Sequence, residues 1–70
     1  TRAVRLAATC AINAGVDRIV VLTRATNTAS RRVAEQSGFV FEGIARGAEL
    51  HRDARYDVAQ YGLLATDVVP

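Results

Sequence analysis

Asn27 and Ser30 are the residues of this 70-residue chain whose types and spacing point first to chemistry. They stand in the string Asn-Thr-Ala-Ser, after a stretch of strand character and ahead of one of helical character. An Asn in that place has two readings. It can cap the helix, its side-chain oxygen accepting from a first-turn N–H, a bond worth about 1 kcal/mol. It can also face a ligand in the cleft where strand meets helix, a common seat of ligands in α/β sheets. Ser30 reads either as an ordinary first-turn residue or as a hydroxyl that donates a proton to an anion forming near the positive end of the helix. No His or Asp stands at a spacing that would activate it as a nucleophile, which argues against a hydrolase triad.

The remaining candidates are mostly cationic. Arg31 and Arg32 can hold a phosphate through forked, charge-assisted bonds, or simply form a solvated helix face. Arg2 and Arg5 lie at the N-terminal end of a helix, where positive charge is mildly unfavourable, so an anion gathered there, or water, would relieve them. His51 sits in a turn full of charges and reads as exposed. Cys10, on an Ala-rich helix, reads as a small buried hydrophobe. Tyr56, Asp57 and Tyr61 read as strand packing or as ligand contacts, and spacing does not choose between them.

These residues need elements to position them. Residues 2 to 14 read as a helix with Val4, Ala7, Ala8 and Ala11 on one side and Arg2, Arg5, Thr9 and Asn13 on the other. Its many alanines make it slim enough to lie close against a sheet, and Gly15 is its expected stop. Arg18 to Thr23 (RIVVLT) is a β-branched apolar run, the pattern of a strand covered on both faces. Asn27 opens a second helix that runs to Ser37, with Val33 and Ala34 facing inward and Arg31, Arg32, Glu35 and Gln36 facing water. Gly38 stops it. Phe39 begins a strand that Gly43 and Gly47 break up and Leu50 ends. His51 to Arg55 reads as a turn, Tyr56 to Leu64 as a strand returning in a hairpin, and Val68 to Pro70 as a tail. The order is helix, strand, helix, strand, strand, which is α/β or α+β.

Length and composition exclude several classes. Half the residues are hydrophobic and 23% are charged, an ordinary globular balance. No apolar run approaches the roughly 20 residues of a membrane span, so no membrane association is expected. A single Cys can form neither an internal disulfide nor a Cys-rich metal site; no metal is expected, and a reducing, cytoplasmic setting is. All nine basic residues are Arg against seven acids, a net charge of +2. They are scattered among acids and alanines, whereas a nucleic-acid binder more often shows a clustered basic face. There is no Met, and the first helix has no strand before it. Both features lead us to expect that residues 1–70 are the C-terminal part of one domain whose N-terminal half lies outside this sequence.

The string from Asn27 to Phe39, Asn-x-x-Ser-x-x-x-x-Glu-x-x-Gly-Phe, followed by Phe41-Glu42-Gly43, resembles the C-terminal half of a GNAT-type N-acetyltransferase. It is most similar to the branch that holds the ribosomal-protein N-terminal acetyltransferases (RimJ and RimL type), which also carries an Asp and a Tyr on the last strand, matched by Asp57 and Tyr61. The ending Tyr61-Gly62-Leu63-Leu64 resembles the family's closing strand, and the likeness spans nearly all of the chain.

The resemblance implies a mixed, splayed sheet into which acetyl-coenzyme A enters where two parallel strands separate. It implies direct acetyl transfer to a primary amine, a protein N-terminus or a small amine, without a covalent enzyme intermediate. By the same resemblance Asn27 would contact the cosubstrate, and Ser30 would protonate the departing thiolate. Arg32 and Arg2 would serve its phosphates. Other branches carry a Tyr four residues beyond this Ser; here that position is Ala34, which leaves Ser30 as the local candidate. The family's glycine-rich pyrophosphate loop and its general base would both precede Thr1, so the chain alone is expected to be inactive. The alternative is a non-catalytic half-domain that acts as an association or binding module. On either reading the chain is expected to pair through the edge of the Arg18 to Thr23 strand, with a separate N-terminal half or with copies of itself.

Overall fold

The computed structural model describes residues 2–68. Helix α1 covers Arg2–Asn13, strand β1 Arg18–Arg24, helix α2 Thr28–Gln36, strand β2 Val40–His51, strand β3 Ala54–Leu64, and a single turn of helix, α3, Ala65–Val68. The fold is α+β, in the order expected, with α3 added after β3; α3 takes in Val68 of the expected tail, and Val69 and Pro70 lie outside the described residues. Gly15 and Gly38 follow the two longer helices at φ of 102° and 90°, a conformation that costs glycine little and ends the helix.

The strands form one antiparallel sheet in the order β1-β3-β2. The chain reverses between β2 and β3 at Arg52 and Asp53, both at positive φ (51° and 64°), the mirror-image turn that matches the twist of paired strands. β2 is one continuous strand rather than the broken one expected. Gly43 and Gly47 sit in it without ending it, because the irregularity is absorbed as register shifts between Phe41 and Gly43 and between Ala45 and Glu49. At Gly47 the side chains of β3 help: Asp57 Oδ1 accepts from its N–H at 2.9 Å, and Arg55 donates to its carbonyl at 2.8 Å.

Both helices lie on the same side of the sheet. Ala8 and Ile12 of α1 and Ala34 of α2 pack with Phe39 and with Ala59, Tyr61 and Leu63 of the central strand, while Val4, Ile19 and Val21 flank them. Alanine at the closest approaches lets helix and sheet backbones come together, which is the use made of the slim helix. The buried helix positions are Ala8 and Ile12; Ala7, expected inside, is exposed. Cys10 is also exposed rather than buried, because it lies two residues from each of the inward positions and so on the far side of a helix with 3.6 residues per turn.

β1 differs from expectation in the same one-sided way. Ile19 and Val21 are half-buried under the helices, whereas Val20 and Leu22 are 44% and 62% exposed. Nothing among the described residues covers that second face. It is crossed instead by two ion pairs that reach from β1 to β2 over β3. Arg18 clamps Glu42 with both terminal nitrogens, at 2.7 and 2.5 Å, directly above Gly62. Arg24 clamps Glu49 at 2.9 and 3.0 Å and lies 3.9 Å over the ring of Tyr56. A Cβ on Gly62 would come within 2.8 Å of the Arg18 guanidinium, so the bare backbone there is what lets the first pair lie flat.

A candidate cosubstrate site at the start of the second helix

The segment between β1 and α2 is built from backbone bonds outward. Ala25 N–H donates to the Asp57 carbonyl of β3 at 2.8 Å, and Asn27 N–H donates to the Arg24 carbonyl at 2.9 Å, which turns the chain back towards the sheet. Asn27 is then the N-cap. Its Oδ1 accepts from Ser30 N–H at 3.1 Å, and its carbonyl accepts from Arg31 N–H at 3.0 Å. The capping reading of Asn27 is therefore realised in the structure. It occupies one face of the amide and leaves the Nδ2 donors free of any partner among the described residues.

Ser30 is half-buried and its hydroxyl has no hydrogen-bond partner among the described residues. It stands at the side of an open, apolar depression of about 320 Å³ lined by Val4 of α1, Val21 of β1, and Ala29, Ser30, Val33 and Ala34 of α2. A lone hydroxyl against an apolar wall, one turn into a helix, sits where the helix dipole favours negative charge. The groove can take an apolar stem; the hydroxyl can donate to an anionic atom.

The other expected site residues lie elsewhere. Arg2 and Arg5 line a broader depression of about 560 Å³ with Leu6, Thr9 and Gln36, further along the same two helices. Arg32 lies on the opposite flank of α2, in a shallow dip of about 190 Å³ with Thr28, Arg31 and Glu35. The structure thus brings Asn27 and Ser30 together and leaves Arg2 and Arg32 in separate surface depressions. His51 is exposed at the end of β2, as expected. Asp57 serves the Gly47 irregularity, and Tyr56 lies under Arg24, so both are occupied in the sheet.

Arg31 is where the sequence misleads. It was expected in water beside Arg32, but it is part-buried. Its Nη1 donates to the Ala25 carbonyl at 2.9 Å and its Nε to Tyr61 Oη at 3.0 Å. Tyr61, wholly buried, donates in turn to Glu35 Oε2 at 3.0 Å and packs against the Phe41 ring at a centroid distance of 5.4 Å. The only hint in the sequence is the four-residue spacing of Arg31 and Glu35, which places them on one helix face.

No protein-family model and no curated protein matches the sequence; the likeness is to solved structures. A probable GNAT-family acetyltransferase from Chromobacterium violaceum superposes on 99% of this chain with a TM-score of 0.90 and 28% identity. The chain has the fold of the C-terminal part of a GNAT acetyltransferase. RimL, a ribosomal-protein α-N-acetyltransferase solved with coenzyme A, matches 87% of the chain at a TM-score of 0.81 and 29% identity. A microcin self-immunity acetyltransferase solved with acetyl-CoA and AMP matches 89% at 0.83 and 25%. In each case the chain spans about a third of the length of the acetyltransferase it matches, 35%. Among the described residues no helix is long and apolar enough to cross a membrane.

Proposed function

We propose that this chain forms one wall of an acetyl-coenzyme A site in an N-acetyltransferase that acts on a primary amine. The observation that carries the reading is Ser30: an unpartnered hydroxyl beside an apolar groove at the start of a capped helix, in a fold shared with acetyltransferases solved with coenzyme A or acetyl-CoA. The donor set fits such a ligand. Asn27 Nδ2 and the first-turn N–H groups of α2 are hydrogen-bond donors at a helix start, suited to an anionic or carbonyl-bearing molecule. Val4, Val21 and Val33 offer an apolar lining to its uncharged stem.

Acetyl-coenzyme A supplies the activated acetyl group. The chain's own part is then to orient and to donate. Asn27 holds the helix start and presents its amide; the groove excludes water from one side. As the amine nitrogen bonds the acetyl carbon and the carbon–sulfur bond breaks, Ser30 Oγ–H delivers a proton to the sulfur, and the proton the nitrogen sheds replaces it by way of solvent. Arg2 and Arg32 act, on this reading, as outlying cations for phosphates rather than as part of the Ser30 groove. The competing reading, a half-domain that only associates or binds, draws support from the outer edge of β1, which pairs with no strand among the described residues.

Exchange of this chain for the matching segment of the Chromobacterium violaceum acetyltransferase gives a domain in which the role of Ser30 can be measured. Ser30→Ala should lower kcat by about 10²- to 10⁴-fold, the range of general acid catalysis, with little change in KM for acetyl-CoA. An unaltered kcat removes Ser30 from the chemistry.

A further inference from the structure

We infer that Arg31 is a positioning residue, the clamp that sets how α2 presents Asn27 and Ser30. The inference rests on the reading of those two residues as coenzyme A-facing. Helix α2 has only nine residues and wholly buries one of them, Ala34. A helix that short does not hold its shape or place by itself. The backbone bonds of Asn27 shape the turn locally, to Arg24 and Arg31, and among the described residues only the Ala25–Asp57 backbone bond ties it to the central strand. Something else must fix the rotation of α2 about its own axis.

Arg31 and Glu35 do so together. They lie one turn apart on the same face of α2 and both bond the single oxygen of Tyr61, Arg31 as donor and Glu35 as acceptor. Tyr61 cannot move to follow them: it is wholly buried on β3, between its partners Val21 on β1 and Phe41 on β2. Two anchors on one buried oxygen fix the helix phase. A slip of one residue would turn α2 by about 100° and lose both bonds. The same slip would carry Ser30, the neighbour of Arg31, out of the groove it shares with Val21 and Val33.

The second arm of Arg31 reaches backwards. Its Nη1 holds the carbonyl of Ala25, so one guanidinium joins the turn before the cap to the helix after it and to the core beneath. That requires donors pointing in two directions from a rigid plane, which Arg has and the single ammonium of Lys lacks. The Phe41 ring, 5.4 Å from the guanidinium, backs the arrangement from the β2 side.

The test uses the 70-residue chain labelled with ¹⁵N and the variants Arg31→Met, Arg31→Lys, Tyr61→Phe and the Met/Phe double variant. Amide exchange at Ser30, whose N–H is held by Asn27 Oδ1, reads the clamp; exchange at Ala59 and Leu63 of β3 reads the fold. Arg31→Met should speed exchange at Ser30 by about tenfold or more, the equivalent of a lost charge-assisted bond, with the β3 amides unchanged. Arg31→Lys should not restore it. Tyr61→Phe should have a smaller effect, and the double variant should be no worse than Arg31→Met alone, as coupled partners behave. Native exchange at Ser30 in Arg31→Met overturns the inference; so does full rescue by Lys. Should Arg31→Met fail to fold, Tyr61→Phe, which removes one atom from an intact ring, decides in its place. Millimolar acetyl-CoA, added to the hybrid domain rather than to the isolated chain, separates the two levels of argument. Shifts at Asn27 and Ser30 of the hybrid that vanish in its Arg31 variants support the positioning role. Faster Ser30 exchange in the Arg31 variants of the chain, with no such shifts in the native hybrid, upholds the clamp and refutes the coenzyme A reading.

Discussion

Replacement of Asn27 separates the two jobs this residue has been given. Asn27→Ala removes the Oδ1 that accepts from Ser30 N–H at 3.1 Å. The bond is exposed, so the freed N–H regains water and the cost is that of an N-cap, about 1 kcal/mol. A chain of this size unfolds with an entropy of about 0.15 kcal/mol/K, so that loss lowers Tm by about 7 °C. Asn27→Asp keeps an oxygen at the same reach and adds negative charge at the positive end of α2, which holds Tm or raises it by the equivalent of about 0.3–1 kcal/mol. The two variants therefore agree on stability only if Asn27 is not a cap. Thermal melts of the chain settle that point, and an Asn27→Ala Tm within about 2 °C of native contradicts the capping geometry. The ligand role is read in the hybrid domain. An anionic side chain facing a phosphorylated cosubstrate should raise KM for acetyl-CoA while Tm stays at the native value. If Asn27→Asp leaves both untouched, Asn27 caps the helix and does nothing more.

Two further outcomes follow from the sheet. The Arg18 guanidinium, with help from the Gln60 amide, holds the Glu42 carboxyl at about 2, well below its usual 4.5, and Arg24 lowers Glu49 in the same sense. Both carboxyls are more acidic folded than unfolded, so their contribution is complete above pH 4.5 and drains away as pH falls towards 2. Melts in that window should show Tm dropping more steeply for the native chain than for Glu42→Gln; parallel curves would mean the pair does not contribute. On the outer edge of β1, Ile19 to Leu22 offers backbone that no strand among the described residues pairs, along an apolar strand with no Lys or Pro to discourage pairing. Light scattering at low micromolar concentration should find the chain associated, and Leu22→Lys, at a site 62% exposed, should shift it towards monomer. A monodisperse 7.5 kDa native species refutes this.

What could be read from the sequence and what could not divides along the distance between partners. Asn27 and Ser30 are three residues apart, and the cap they form depends only on the local turn, so the spacing announces it. The helix stops at Gly15 and Gly38 are equally local. The apolar run of β1 was not decisive: Val20 and Leu22 are as hydrophobic as Ile19 and Val21, and only the placement of both helices on one side shows which pair is covered. Arg31 and Tyr61 are 30 residues apart and meet because β3 runs through the middle of the sheet. The two ion pairs show how far register decides chemistry. Arg18 and Arg24 are an even number of residues apart on β1 and share a face by simple alternation. Glu42 and Glu49 are an odd number apart on β2, and alternation would send them to opposite faces. They meet the two arginines on one face because β2 takes up one extra residue between Phe41 and Gly43, which reverses the alternation; the second slip, from Ala45 to Glu49 opposite Val58 to Tyr56, takes up an even number and keeps the face. Gly43, which reads as a strand breaker, thus ends the step at which the strand changes phase, Gly47 lies in a slip that keeps the phase, and Glu42 and Glu49 share a face only because of the first.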